Sequence, residues 1–356
     1  MTFALLGIVV KGLVVLGAVL TLVPLLVYLE RKISAFIQGR IGPNRVGPLG
    51  LLQPVADAVK LLFKEEIIPK GADKVLYLIA PVLAFLAPAA AIAFIPFGPA
   101  FDTGSETWGV IDLRVCSVDT GLLMFLAVTS LGVYGIAFGG WASNSKYPLM
   151  GAVRATAQMV SYSVAAELAL VALIATTGTV NLQQMVVEQT KPLDLLGVPI
   201  PVLPNWNIFH QPLAFVIFLC GMFAENNRTP FDLPEAEPEL GAGYHTEYTG
   251  MKFAMFFLGE YVAMISMSAL CVTMFFGGWS GPFGPPAGVG VVTSWVPAAI
   301  AVFWFSVKVM AVLCFYMWVR WTLPRFRYDQ LMRLGWKMLI PAGLANLLIT
   351  GAILTL

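Results

Sequence analysis

Between Ala224 and Tyr248 the chain reads AENNRTPFDLPEAEPELGAGYHTEY, and six carboxylates fall there: Glu225, Asp232, Glu235, Glu237, Glu239 and Glu247. Crowded carboxylates raise one another's proton affinity, because like charges at short range disfavour joint ionisation. Such a cluster can hold and release protons near neutral pH. A solvated loop between two helices would have the same composition, so its surroundings must decide. Charge is scarce there: hydrophobic residues make up 58% of the 356, charged residues 12%, and the mean hydropathy is +0.82. Three further charges, Glu167, Glu260 and Lys308, lie inside apolar runs. At bilayer depth an ionisable group is expensive, so these three should face a bundle interior and pair with one another or with water. A buried structural ion pair is the plainer alternative for each. Glu225 and Arg228, three apart, could pair on one helix face.

These residues are carried by apolar segments of about 20 residues, the length that crosses a ~30 Å hydrocarbon core as helix. Eight such spans are expected, at about 3–29, 75–97, 120–141, 153–177, 208–228, 253–277, 295–319 and 337–356. The fold class is an all-α polytopic membrane protein, a single membrane domain covering 1–356. The fifth span is the awkward one. Its apolar run, Pro212–Ala224, is too short to cross, so the helix should continue through Glu225–Arg228 or begin back in 207–211. The polar loops are 30–73, 142–152, 229–252 and 320–336. In the first, a Gly/Pro-rich stretch around Arg40 and Arg45 breaks regular structure. From Val55 to Glu66, Val55, Ala58, Val59 and Leu62 then follow helical spacing opposite Asp57, Lys60 and Lys64, which predicts an amphipathic helix in the membrane interface. A helix packed on a soluble partner would read the same way.

Seventeen of the 21 Lys and Arg residues lie in or beside those four loops. By the positive-inside tendency the loops face the cytoplasm, and both termini face outside. The first span lacks a basic leader and a small-residue cleavage site and is followed by Glu30-Arg31-Lys32, so it is expected to be retained. Cys116, Cys220, Cys271 and Cys314 are widely spaced, with no CxxC pair, and the two histidines, His210 and His245, are not near them in sequence. No cofactor of its own is therefore expected. The net charge of +1 gives no hint of a nucleic-acid partner.

Four stretches then appear in a fixed order: GRIGPNRVGPLGLLQPVADAVKLLFKEE (39–66), GWASNSKYPLMGAVRATAQMVSY (140–162), the acidic 224–248 stretch, and PRFRYDQLMRLGWK (324–337). Together they resemble the NuoH family, the H subunits of proton-translocating NADH:quinone oxidoreductase, respiratory complex I. The resemblance runs from Glu30 to Lys337. It implies a component of the cell (inner) membrane that joins the membrane arm to the peripheral redox arm, with the other membrane-arm and peripheral subunits, quinone and the lipid bilayer as its partners. It also implies part of a quinone chamber, with quinone as substrate, while flavin and iron–sulfur clusters belong to partner subunits. Glu30, Arg31, Arg40, Arg45, Phe253, Phe257 and Arg320 are the residues this assigns to the chamber and its entrance. Proton coupling falls to Glu167, Glu225, Arg228, Asp232, Glu235, Glu237, Glu239, Glu247, Glu260 and Lys308. No catalytic activity is expected of the chain alone, and no metal.

One departure stands out. The family's fourth-span motif reads SYE, whereas this chain has Ser161-Tyr162-Ser163, and its fourth-span carboxylate is Glu167. Four residues further on is about 6 Å along a helix and ~40° around it, so both positions share a face. The missing acid has then moved along one stripe. Two other readings stay open: the equivalent component of a membrane-bound hydrogenase or other-donor complex, and a stand-alone proton-coupled transporter. The paired, interrupted half-repeats common in secondary transporters are not evident in the sequence.

Overall fold

A computed structural model describes residues 2–102, 110–195, 198–234, 241–281, 292 and 295–355. Helix α1 spans Thr2–Ile37, well past the expected end at 29, because nothing in Glu30-Arg31-Lys32 stops a helix. The turn comes at Gly39, whose φ of 64° is open to glycine at no steric cost. Glu30 is therefore a helical residue and not the start of a loop. The interfacial helix α2 forms over Gln53–Phe63 with Pro54 in its first turn. Along it Val55, Val59 and Leu62 stay exposed, so this chain leaves the apolar face to lipid or to a neighbour.

Helix α3 (Lys74–Ala91) starts where the Asp73 carboxylate accepts from the Val75 and Leu76 amides. Helices α4 (Gly121–Ala142) and α5 (Lys146–Thr177) follow, and Gly178, with φ 70°, closes α5. Next come the short α6 (Leu182–Gln189) and then α7 (Pro212–Glu225). The last three helices are α8 (Gly250–Phe275), α9 (Trp295–Thr322) and α10 (Tyr328–Thr355), the last with a π-helical turn over Gly335–Leu339. Two hairpins occupy links between the long helices: β1 (Phe101–Asp102) pairs with β2 (Val110–Ile111), and β3 (Pro192–Leu195) with β4 (Val198–Pro204). Among the described residues seven helices are long and apolar enough to cross a membrane. The protein is a multi-pass, all-α membrane protein.

The expected fifth crossing departs from this pattern. Helix α7 neither continues through Arg228 nor extends back through Asn207. It runs for 14 residues, about 21 Å, shorter than the hydrocarbon core. Pro212 fixes its first turn, and a turn with Asn227 at φ 50° ends it. Both ends are thus at bilayer depth, where free backbone and amide groups need partners. Gln211 finds Thr176, Thr350 and Asn346 at one end. At the other, Asn226 donates to the Tyr316 hydroxyl at 2.7 Å.

Helix α8 is the hub. It packs on α3, α9, α1 and α2, and 72% of its most apolar window is buried. Helix α3 lies close to both α8 and α4, because a Cβ on Gly259 of α8 or Gly135 of α4 would lie only 2.7 or 2.5 Å from the Ala84 backbone of α3. Gly259 and Glu260 of α8 then share the wall of one small cavity with Glu225–Asn227 at the end of α7. Helix α5 packs between α4, α7 and α10, placing Glu167 on the other side of α7's end.

Candidate functional site

The turn after α7 carries Arg228 into the interior, where its side chain is 5% exposed. Its guanidinium faces two carboxylates from distant helices. Nη1 lies 3.2 Å from Glu30 Oε1 of α1, and Nε lies 2.5 Å from Glu260 Oε1 of α8. Arg320, from the end of α9, also donates to Glu30 Oε1, and the Tyr261 hydroxyl donates to Glu30 Oε2 at 2.5 Å. The Arg228 guanidinium stands over the Tyr261 ring, 4.8 Å from its centroid. Two carboxylates and two guanidiniums thus neutralise one another. Burial of this arrangement is offset by charge matching, with hydrogen bonds from Arg228, Arg320 and Tyr261 to Glu30 and an ion pair from Arg228 to Glu260. The expected Glu225–Arg228 pair on one helix face does not form, since the helix ends between them.

Other parts of the acidic stretch are tied down separately. Arg325 Nη2 meets Asp232 Oδ2 at 2.9 Å, Phe326 N donates to the Pro230 carbonyl, and Thr229 Oγ1 donates to the Arg320 carbonyl. The segment after α9 is thereby zipped along the turn. Gln158 of α5, fully buried, holds the other side: its amide Nε2 reaches the carbonyls of Ala224 (2.8 Å) and Phe231 (2.6 Å) and Asn227 Oδ1 (3.3 Å). Sequence spacing offered no sign of Gln158, although an amide in the middle of an apolar span was a usable signal. Replacing Gln158 by leucine leaves two buried carbonyls without their donor, a loss of about 1–3 kcal/mol. A lowered thermal midpoint of the purified protein, with Gln158→Glu no better, is the expected result.

Glu247 sits in the turn before α8. Its carbonyl accepts from the Tyr77 hydroxyl at 2.7 Å, and Tyr77 stacks on Tyr248 with centroids 4.1 Å apart. Burial, and then the Tyr77 hydroxyl, push the Tyr248 phenol up, so it stays neutral in the cell and the pair is packing. Glu235, Glu237 and Glu239 lie outside the described residues.

Glu225 behaves differently from Glu30, Glu260 and Asp232. No ion pair involves it or Glu167 among the described residues. Two cavities meet at Glu225. One, of about 60 Å³, is lined by Glu225, Asn226, Glu260, Tyr244 and Ser266. A second, of about 370 Å³, is lined by Glu225, Glu167, Ser163, Thr129, Ser130 and Thr156. Thr129 belongs to both walls. The smaller has room for a few waters, and polar side chains are there to hold them. Glu260 and Glu225 therefore line the first cavity and Glu225, Ser163 and Glu167 the second, while Glu167 itself is exposed and does not face the bundle interior as expected.

The remaining predicted residues separate. Arg31 pairs with Asp57 at 2.6 Å and so fastens α2 to α1. Lys252 holds Glu66 at 2.6 Å, fastening the far end of that segment to α8. Arg40 donates to Gln38 at 2.7 Å, and both Arg40 and Arg45 are exposed. Phe253, Phe257 and Tyr261 form an aromatic ladder along α8, with centroid steps of 6.3 and 4.9 Å. Its inner rung is the hydroxyl that meets Glu30. Lys308 is not brought to the acids. Its ammonium gives its protons to the carbonyls of Phe276, Gly278 and Ser280, at 2.6, 3.0 and 2.6 Å, and lies over Trp206. It closes the far end of α8, about 22 Å along the helix from Glu260, where a cation suits the negative end of the helix.

The family profile described as NADH dehydrogenase matches residues 10–351. The first of the NADH-quinone oxidoreductase H subunits of Geobacter metallireducens is 49% identical over 339 residues, covering 95% of this chain and 93% of its own. The NADH-quinone oxidoreductase H subunit of Thermomicrobium roseum is 47% identical over 344 residues, covering 96% and 94%. The corresponding first H subunit of Cytophaga hutchinsonii is 46% identical over 329 residues, covering 92% and 91%.

Proposed function

Because the chain belongs to the NADH dehydrogenase family, among the H subunits of NADH-quinone oxidoreductase, we propose that it forms part of the quinone chamber of that complex and passes the energy of quinone reduction into proton transfer. The observation that supports this reading is the pair of adjoining cavities that Glu260, Glu225 and Glu167 line, next to the ion cluster of Glu30, Arg228 and Arg320. The aromatic ladder Phe253–Phe257–Tyr261 offers flat apolar faces that lead to that cluster, which suits a quinone ring better than a polar substrate. Exposed Arg40 and Arg45, and the apolar face of α2, stand at the cytoplasmic mouth.

A charge that arrives near Tyr261 perturbs a cluster whose charges balance. Arg228 is shared between Glu30 and Glu260, so a shift of Arg228 toward one acid frees the other. Glu260 then exchanges a proton with Glu225, whose charge no arginine holds, and Glu225 with Glu167. In this reading electrons reach the quinone from flavin and iron–sulfur clusters on partner subunits. The four basic loops face the cytoplasm, with both termini outside.

Glu167 supplies the test. In Glu167→Gln, NADH:quinone turnover continues while protons pumped per electron pair fall several-fold. The exchange Ser163→Glu with Glu167→Ser restores pumping, because both positions line the same cavity. Normal pumping in the Gln variant, measured in proteoliposomes by a pH-sensitive dye, rules this path out.

A further inference from the structure

At the opposite end of α1 from the ion cluster, two apolar grooves flank the same helix. The larger, about 420 Å³, lies between α1, α8 and α9 and is walled by Val14, Leu22, Phe305 and Met310. The smaller, about 220 Å³, lies between α1 and α3 and is walled by Gly12, Leu16, Leu86 and Ala90. Val15, Val19 and Ile92 border both, so a single ridge divides them. Exposed residues in the linings, Val14 and Leu86 among them, show that both grooves open sideways.

Val14 and Val15 lie three and four residues after Lys11, Ala18 four and three after them, and Leu22 four after Ala18, placing Lys11 at the head of the grooved face. Leu113 closes the larger groove and Val115 the smaller, so the 112–115 segment roofs both. Within it Arg114 grips Asp112 through two nitrogens, at 2.9 and 2.6 Å. Burial works against the Asp112 carboxylate, but the hydrogen bonds and charge of Arg114, then the charge of Lys11, hold it below the usual carboxylate range. The roof thus carries two cations and one anion, with Lys11 as the surplus charge.

We propose that this is a binding site for one two-chain anionic phospholipid of the leaflet at the N-terminal end of α1, its phosphate at Lys11 and one acyl chain in each groove. From Lys11 to Leu22 is about 16 Å along the helix, the hydrocarbon depth of one leaflet. Two slots divided by the Val15/Val19 ridge suit two chains joined at the top. A helix from a neighbouring subunit, ~10 Å wide with its side chains, would seat on the ridge and fill neither slot. A quinone has one tail and no phosphate.

The test uses the whole complex, stripped of lipid in detergent and titrated with phosphatidylglycerol, with bound lipid counted by native mass spectrometry. Brominated chains in a cryo-EM map locate it. The expected result is one saturable lipid with bromine density in both grooves. Lys11→Gln weakens retention about fivefold, as loss of one lysine at an anionic headgroup should. Ala90→Phe, which fills the smaller groove, favours the single-chain lyso lipid over the two-chain one. In both variants NADH:quinone turnover in detergent stays at the level of the unaltered protein. Equal affinity in all three proteins, a neighbouring helix in the grooves, or a quinone ring beside Lys11 would each overturn the assignment.

Discussion

Replacing Arg228 by glutamine is expected to leave almost no assembled complex in the membrane. Glutamine keeps hydrogen-bonding capacity but removes the charge that Glu30 and Glu260 share, and Arg320 alone then faces two carboxylates. Glu30 and Arg228 are nearly inaccessible and the Glu260 side chain is only 16% exposed, so solvent cannot compensate. Breaking a buried pair in this way costs about 3–5 kcal/mol, a large share of a typical folding free energy. Arg228→Lys separates charge from shape. A lysine meets one carboxylate but cannot span two acids while lying flat over Tyr261, so assembly survives in part and quinone turnover falls by more than about tenfold. The measurement is the amount of complex on native gels together with NADH:quinone rate per assembled complex. Arg228→Gln at normal abundance would show that the cluster does not hold α1, α8 and α9 together. Glu30→Gln with Arg228→Gln, which removes one charge of each sign, should recover part of the loss, as paired changes in one network do.

Glu225→Gln should abolish proton translocation, to below about a tenth of the unaltered protein, while complex abundance changes little. The reason is the contrast between this carboxyl and its neighbours. Glu30, Glu260 and Asp232 are matched by arginines, and removing Glu30 or Glu260 leaves buried Arg228 short of a partner, whereas among the described residues no ion pair is lost with Glu225. Glutamine fits the same space at the junction of the two cavities but carries no exchangeable carboxyl proton. Glu225→Asp, one methylene shorter, should pump at a reduced rate. A Gln variant that pumps normally would mean that protons leave Glu260 by another route. Loss of assembly in the same variant would mean that Glu225 is structural.

Much of this was legible in the residues. Runs of about 20 apolar residues can only be helices in a bilayer, because backbone groups there must pair within their own segment. Acids inside such runs were expected to face the interior; Glu260 does so through its pairing with Arg228, whereas Glu167 stays exposed on α5. Glu167 and Ser163, four apart on one helix, were placed on a common wall by helical geometry alone. What spacing could not supply was any contact between helices. Arg228 seemed suited to Glu225 three residues away, yet its partners are Glu30 and Glu260, 198 residues before it and 32 after. Lys308 looked like a member of the charge path, and only the packing of α9 shows its ammonium given to three carbonyls beyond α8.

The acidic stretch from Ala224 to Tyr248 shows where the division falls. Its composition and its position after an apolar run too short to cross are local properties, set by covalent chemistry and by the cost of charge in hydrocarbon. Local properties made it a functional candidate. Whether each acid ends up neutralised by an arginine or left beside a water-sized cavity depends on where distant helices cross, and that is fixed by close packing at points such as Ala84 against Gly135 and Gly259. Side chains far apart along the chain meet only once those crossings are set. The tertiary structure alone therefore divided the acids into those that hold the bundle together and those free of ion pairs.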